Sequence, residues 1–114
     1  NMVLDRQGGP NWFKNWCVAP VIVDPEKDEV YFTPLYYTMA HFSKFLRPEA
    51  KIIGLENSDE KLMATAAQNP DGTITVVLFN ETETPKNINL SIKEKTVEIS
   101  IDAQAIQTIV IPSI

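Results

Sequence analysis

The sequence predicts a mainly β protein, with an antiparallel β-sandwich over its second half and short strands followed by one helix over its first half. Three observations support this fold class. Apolar residues alternate with polar ones in several runs after about residue 51. The tetrapeptide at 69–72, Asn-Pro-Asp-Gly, is a strong hairpin signal. Only residues 34–46 show apolar residues at the three- and four-residue spacing of a helix.

The first half begins with short extended segments. Residues 2–4 form an apolar run that ends at the turn residues Gly8, Gly9 and Pro10. The run at 21–23 is closed by Asp24 and Pro25, and a second strand-like run at 30–32 ends before Pro34. We therefore predict a short hairpin or a pair of extended arms between residues 21 and 32.

The helix of the first half has both a start and a stop signal. Thr33 has a hydroxyl able to cap a helix, and Pro34 is tolerated in a first helical turn. Residues at helical spacing come next: Tyr36, Met39, Ala40, Phe42, Ser43 and Leu46. Because Arg47 and Pro48 end the pattern, the helix is predicted to run to about Leu46.

The second half predicts six strands. They are expected at 52–55, 62–68, 73–79, 88–92, 97–101 and 106–110. The second and third are joined by the turn at 69–72, where glycine supplies a positive φ. The fourth and fifth are joined by the polar turn at 93–95, and each has one apolar face. The last run is apolar on both faces, which favours coverage on both sides, and six such strands predict a sandwich.

Composition and charge exclude several classes of function. The chain has 114 residues, 44% of them hydrophobic, and a net charge of −5 with a pI near 4.8. Its 10 basic residues are scattered, which opposes binding to nucleic acid or to anionic membranes. No apolar stretch approaches the roughly 20 residues needed to cross a bilayer. The single cysteine, Cys17, permits no intrachain disulfide and leaves the compartment undecided.

Two aromatic rings and side-chain amides come after the first turn. Trp12, Asn15 and Trp16 lie directly after the Gly-Gly-Pro sequence. An asparagine amide donates and accepts hydrogen bonds, as a sugar hydroxyl requires, and an indole stacks on the C–H face of a pyranose. This segment is therefore the candidate sugar-binding site.

Together with the residues up to Pro48, this segment closely resembles the last part of glycoside hydrolase family 30, the glucosylceramidase-like enzymes. The stretches that carry the resemblance are GGPNWFKNW and APVIVDPEKDEVYFTPLYYTMAHFSKFLRP. The resemblance implies that residues 1–50 are the end of the catalytic (β/α)8 barrel, comprising its last strand, loop and helix. It implies that residues 51–114 are the C-terminal β-sandwich of the family.

The resemblance also implies a function. The chain is expected to be the C-terminal fragment of a retaining O-glycosyl hydrolase that acts on β-glucosides such as glucosylceramide or β-glucans. Both catalytic carboxylates lie upstream in the family, and a complete barrel needs about 250 residues, so the chain alone is expected to be inactive. Asn15 and Trp16 are expected at the rim of the sugar pocket, whereas Trp12 is expected to pin the loop. No cofactor or metal is expected.

The expected partners are the β-glucoside substrate, bound through the complete enzyme, and the upstream barrel and N-terminal sandwich strands of the same protein. Nucleic acid is not expected, and the chain alone is expected to self-associate through exposed apolar surface. By resemblance the compartment is extracellular, periplasmic or lysosomal. The alternative function is a stand-alone β-sandwich, either a carbohydrate-binding or a structural accessory module. The helix and its preceding loop count against this alternative.

The remaining polar residues favour structural roles. His41 is the only histidine and is expected to pack or cap the helix, since a lone imidazole makes neither a triad nor a metal site. The acidic cluster at 24–29 lacks the spacing of a calcium loop and is expected to be a solvated turn. Asn80 and Asn89 each begin an N-x-S/T glycosylation pattern, which is common by chance and receives little weight.

Overall fold

The structure is a computed structural model that describes residues 1–10, 13 and 17–113. The chain divides into two compact units, Asn1–Ala40 and His41–Ile114. The predicted domain boundary near residue 50 stays a prediction. In the described ranges, no helix combines the length and apolarity that crossing a membrane requires.

The first unit contains a three-stranded sheet. Its strands are β1 (Val3–Asp5), β2 (Val21–Asp24) and β3 (Glu29–Phe32), in the order β1-β2-β3. Strand β1 runs parallel to β2, and β2 pairs antiparallel with β3. The predicted hairpin between residues 21 and 32 is thus confirmed. The small core of this unit is formed by Leu4, Ala19 and Val21.

Helix α1 spans Pro34–Ser43, which is shorter than predicted. Helical bonding continues to Leu46, whose N–H donates to the carbonyl of Phe42 at 2.8 Å. Beyond the helix, the carbonyl of Phe45 accepts hydrogen bonds from the side chains of Asn69 and Thr75, which satisfy a carbonyl that has no partner within the helix. At the other end, the Thr33 hydroxyl donates to the carbonyl of Pro20 at 2.9 Å. The predicted capping hydroxyl is therefore used to attach the helix start to the preceding chain.

The second unit is a β-sandwich with six strands in its described residues. They are β4 (Lys51–Ile53), β5 (Leu62–Gln68), β6 (Ile74–Asn80), β7 (Lys86–Ile92), β8 (Lys95–Ile101) and β9 (Ile106–Ile111). One sheet has the order β4-β5-β6-β9 with antiparallel pairs, and the other contains β7 and β8. This confirms the predicted mainly β sandwich.

The β5–β6 hairpin turns at the predicted residues. Gly72 has a φ of +84°, and the N–H of Asn69 donates to the carbonyl of Thr73 at 2.8 Å. The carboxylate of Asp71 accepts hydrogen bonds from the hydroxyl and the N–H of Thr73, at 2.7 and 2.9 Å. These bonds favour the charged carboxylate and lower the pKa of Asp71.

The apolar core lies between the two sheets. Its buried members are Leu62, Ala66, Ile74, Val76, Leu78 and Ile101. Side chains of β7 at positions 88, 90 and 92 pack against them, while the residues between point outward, as the alternation predicts. Lys86 bridges from β7 to Asp59 in the β4–β5 loop, and this hydrogen bond lowers the pKa of the Asp59 carboxyl.

Residues 41–47 pack on part of the outer face of the four-stranded sheet. His41 Nδ1 lies 2.8 Å from the hydroxyl of Thr108 on β9, which confirms a packing role for this histidine. The hydroxyl of Thr75 donates to the carbonyl of Phe45 at 3.1 Å, and the N–H of Arg47 donates to the Asn69 side chain at 2.9 Å. Strand β6 is therefore buried on both faces.

Asn80, at the end of β6, is a polar junction inside the sandwich. Its side chain has no exposed surface. The amide nitrogen donates to the carbonyls of Thr84 and Asp102 at 2.8 and 2.9 Å, and the amide oxygen accepts from the N–H and hydroxyl of Thr82. Asn89, by contrast, lies on the exposed face of β7. Of the two glycosylation patterns, the one at Asn80 is thus closed to a glycan in the folded protein.

Candidate functional site

The candidate site begins at a tight turn directly after β1. The carboxylate oxygen Oδ1 of Asp5 accepts hydrogen bonds from the N–H groups of Gln7 and Gly9, at 2.9 and 2.8 Å. The backbone of Asp5 also bonds within the turn, through Asp5 N to Gly9 O at 2.8 Å and Gly8 N to Asp5 O at 3.1 Å. Four hydrogen bonds thus close the chain onto residue 5 and reverse its direction.

Glycines make this turn possible. Gly8 has a φ of +74°, which only glycine adopts without a steric penalty. A Cβ atom on Gly8 would lie 2.6 Å from the backbone nitrogen of Cys17. A Cβ atom on Gly9 would lie 3.0 Å from Oδ2 of Asp5. The turn at 5–9 therefore packs directly against the backbone at Cys17, where the chain returns from residues 10–16.

An ion pair between a buried carboxylate and an exposed arginine lies beside the turn. Asp24, at the end of β2, is 3% exposed, and its Oδ2 accepts a hydrogen bond from Arg6 Nη1 at 3.0 Å. Its Oδ1 faces the N–H of Lys27 at 3.4 Å. The prediction that Asp24 belongs to a solvated turn is therefore wrong, because the Arg6 guanidinium compensates the carboxylate that the sheet buries. The residues from 25 to 29 are exposed, as predicted.

In the sequence, the predicted site residues lie between the turn at 5–9 and Cys17. Asn15, Trp16 and Trp12 lie outside the described residues, so the substrate-binding role of Asn15 and Trp16 stays a prediction. What the structure describes is the turn before them and Cys17 after them. The sequence analysis missed Asp5, although an aspartate shortly before a Gly-Gly pair is a recognisable turn signal.

The described carboxylates around the turn have structural partners. An open hollow is lined by Asp5, Arg6, Gln7, Asp24, Pro25 and Glu26. Two of its three carboxylates are held by hydrogen bonds, Asp5 by backbone amides and Asp24 by Arg6. Across the described ranges, no group of three or more histidine, cysteine, aspartate or glutamate side chains could hold a metal ion. Asp5 and Asp24 therefore stabilise the backbone at this end of the unit.

Comparison with known families places both parts of the chain. Residues 1–46 match the glycosyl hydrolase family 30 TIM-barrel domain, and residues 49–109 match the glycosyl hydrolase family 30 beta sandwich domain. The chain belongs to glycosyl hydrolase family 30. The matches confirm the prediction that the end of a family 30 barrel is followed by the family's sandwich.

Within family 30 the chain is related to glucosylceramidases. It is 36% identical to the lysosomal acid glucosylceramidase of Mus musculus over 92 residues, which is 80% of this chain and 18% of the mouse protein. The chain therefore spans less than a fifth of the length of this relative.

Solved family 30 structures share the fold. The structure of SrfJ from Salmonella typhimurium matches with a TM-score of 0.94 and 25% identity, over 99% of this chain and 25% of that one. The endo-beta1,6-glucanase BT3312 matches with a TM-score of 0.89 and 25% identity, over 99% of this chain and 26% of that one.

Proposed function

We propose that this family 30 chain is the C-terminal part of a retaining O-glycosyl hydrolase that hydrolyses β-glucosides such as glucosylceramide or β-glucans. The observation that carries the proposal is the order of the two matches, with residues 1–46 on the family's barrel and residues 49–109 on its sandwich. The relationship to glucosylceramidases favours a β-glucoside substrate.

The loop after β1 supports a pocket at this position. In TIM-barrel enzymes, catalytic and binding residues lie at the carboxyl ends of the strands. The turn at 5–9 comes directly after the carboxyl end of β1, and Asn15 and Trp16 belong to the same connection to β2. We propose that Asn15 bonds a sugar hydroxyl and that Trp16 forms an aromatic wall of the pocket.

We propose that the two catalytic carboxylates belong to an upstream part of the protein. Retaining glycosidases need an acid/base and a nucleophile about 5 Å apart, both free to reach the scissile bond. Asp5 and Asp24 are the carboxylates most closely associated with the described turn, and both are committed to structural hydrogen bonds. The chain alone is therefore proposed to be inactive.

We also propose that upstream strands complete the sandwich. A cleft of about 710 Å³ opens between the sheets, bordered by apolar residues of β5, β6 and β7. Its lining also contains polar residues, including Glu56, Asn57 and Ser58 of the β4–β5 loop. Protein interiors are close-packed, so a cleft of this size with an apolar floor favours an occupant that is apolar on one face. The second sheet has two strands in the described residues, and Val97 of β8 is 52% exposed. Strands from the same protein that extend this sheet would cover both the cleft and Val97.

The alternative carbohydrate-binding module finds little support in the sandwich. Sugar platforms on such modules need exposed aromatic rings on which a pyranose stacks. Residues 49–113 contain a single aromatic side chain, Phe79, which is half-buried on β6. A structural accessory role for the sandwich is compatible with the glycosidase proposal.

Hydrolysis of aryl β-glycosides tests the proposed function. The protein extended upstream to its natural start is expected to hydrolyse an aryl β-glucoside with retention of anomeric configuration, read by NMR, whereas the 114-residue chain is expected to hydrolyse none. Asn15→Ala should lower kcat/KM about tenfold through a lost hydrogen bond, and Trp16→Phe should change it less than Trp16→Ala. Asn89→Ala, an exposed asparagine on β7, is the matched control.

Inversion of configuration, or activity unaffected by both Asn15→Ala and Trp16→Ala, would contradict the assignment. If the extended protein hydrolyses none of the glucosides, xylosides, fucosides and galactosides in a panel, the family relationship reflects common ancestry and not a shared glycosidase activity. Glucan binding by the 114-residue chain in calorimetry would then favour the binding-module alternative.

Self-association of the chain alone is a further expected result. The first unit exposes large apolar side chains, among them Leu35 at 49% and Tyr37 at 55% on α1. Exposed apolar surface favours association. Light scattering is expected to show dimers or larger species, and Leu35→Lys should shift them toward monomer. Ser58→Lys places the same charge at an exposed polar site and should not. A monodisperse monomer of the unaltered chain would refute this expectation.

A further inference from the structure

Asn89 lies in the middle of β7, on the face of the sandwich that points away from the core. Residues 87, 89 and 91 of this strand are exposed, whereas residues 88, 90 and 92 pack against the apolar core. Beyond the backbone pairing of β7 with β8, no described residue bonds to the side chain of Asn89. Its amide group is therefore accessible to a large molecule in solvent.

The outward face of the β7–β8 hairpin is polar along its whole length. Three cross-strand pairs of exposed residues form it: Asn87 with Ser100, Asn89 with Glu98 and Ser91 with Thr96. None of the six side chains is apolar, and Glu98 is the one that carries a charge. Covering this face would bury no apolar side chain, so we expect it to stay in contact with water.

This face also stays exposed if upstream strands complete the sandwich. Strand β7 borders the cleft between the sheets, and an added strand would pair with the edge of β7 or β8 in the plane of their sheet. Side chains stand roughly perpendicular to that plane. Asn89 would therefore keep its outward position in the complete protein.

Asn89 begins the sequence Asn-Leu-Ser, which is one of the two N-x-S/T glycosylation patterns of the chain. Asn89 and Ser91 are two residues apart on a strand, so their side chains project from the same face. The acceptor amide and the hydroxyl that the pattern requires are both exposed there. A glycan is bulky and hydrophilic and needs a surface position of this kind.

The second pattern, at Asn80, lacks such a position. Its Nδ2 donates to the carbonyls of Thr84 and Asp102, at 2.8 and 2.9 Å, so both N–H groups are used inside the sandwich. The side chain has no exposed surface. A glycan on this nitrogen would replace one of the two hydrogens and would require space that a close-packed interior does not provide. The fold therefore distinguishes two sites that the motif alone does not.

We propose that Asn89 is an N-glycosylation site, whose exposed amide carries an oligosaccharide on the outward face of the β7–β8 hairpin. In the transfer, Nδ2 forms a bond to the anomeric carbon of a lipid-diphosphate-linked oligosaccharide. The bond between that carbon and the diphosphate oxygen breaks, the lipid diphosphate leaves, and Nδ2 loses one proton to solvent. The reaction needs a eukaryotic secretory pathway, through which an extracellular or lysosomal protein passes. It does not depend on glycosidase activity, so the two proposals can fail separately.

The test uses the protein from its natural start to Ile114, fused to a secretion signal and expressed in cultured animal cells. A peptide N-glycosidase removes the glycan in heavy-oxygen water and converts the glycosylated asparagine into labelled aspartate. Trypsin then separates the two patterns, since Asn89 lies in the peptide 87–93 and Asn80 in the peptide 62–86. Mass spectrometry is expected to find the label in most copies of peptide 87–93 and none in peptide 62–86. A sample without the glycosidase corrects for spontaneous deamidation.

Substitutions on the outward face of β7 identify the acceptor. Asn89→Gln removes the amide of the pattern and Ser91→Ala removes its hydroxyl, so each should abolish the label and the slower migration of the glycosylated protein on a gel. Ser91→Thr keeps a hydroxyl and should keep the label. Asn87→Gln changes an exposed amide that begins no pattern, and this matched control should leave the label unchanged.

An unlabelled peptide 87–93 from the unaltered protein would overturn the proposal, as would a label that survives in Ser91→Ala. Label in peptide 62–86 of the folded protein would contradict the exclusion of Asn80. Protein retained in the cells is analysed together with the secreted protein, so poor secretion does not prevent the measurement. If Asn89→Gln does not fold, the comparison of Ser91→Ala with Ser91→Thr decides.

Discussion

Asn80→Ala is expected to destabilise the protein by about 3 kcal/mol. The side chain makes four hydrogen bonds and has no exposed surface, so its removal takes a donor from the carbonyl of Asp102 and one of two donors from the carbonyl of Thr84. These carbonyls belong to the connections that lead into β7 and out of β8. Urea unfolding monitored by circular dichroism measures the change as a shift of the midpoint at constant slope.

The matched control is Asn89→Ala. Asn89 has the same side chain and also begins an N-x-S/T pattern, but it lies on the exposed face of β7. Its replacement should change the free energy of unfolding by less than about 0.5 kcal/mol. Asn80→Asp adds a second test, since it keeps the acceptor but turns an oxygen toward two carbonyls, and it should be as damaging as alanine. Equal stabilities of the Asn80→Ala and Asn89→Ala variants would show that the buried network contributes little.

Gly8→Ala is expected to destabilise the protein by about 2–4 kcal/mol. Two effects add at this position. A residue with a Cβ pays a steric penalty at a φ of +74°, and the new methyl would lie 2.6 Å from Cys17 N and 2.8 Å from Cys17 O. Because both obstacles are backbone atoms, the turn or the segment returning at Cys17 must move.

Gly54→Ala provides the control for Gly8→Ala. A Cβ at Gly54 meets no atom within 4 Å, so this variant should stay within about 0.5 kcal/mol of the unaltered protein. The free energies of unfolding of both variants can be compared in one urea titration series. An unaltered stability for Gly8→Ala would mean that the turn adjusts to the added methyl group without cost.

Local sequence determined the elements whose signals are short-range. Alternation of apolar and polar residues located the strands of the sandwich, because side chains on a strand point to opposite faces with period two. Asn69 to Gly72 located the β5–β6 turn, because its geometry depends on residues within the turn itself. The family could be inferred from the segments around Gly8 and Pro34, since they carry a specific pattern of residues.

Tertiary structure alone decided which polar groups are buried and what they bond. Asp24 belongs to an acidic run that looks solvated, yet a parallel strand pairing brings Arg6 to it from a distant position in the chain. The carbonyl of Phe45, just beyond the end of helix α1, finds its hydrogen-bond donors in the side chains of Asn69 and Thr75. These contacts join residues 18 to 30 positions apart, and no local pattern records them. The sequence by itself therefore determined the strands, the turn and the family, whereas the partners of the buried polar groups arose only when the chain folded.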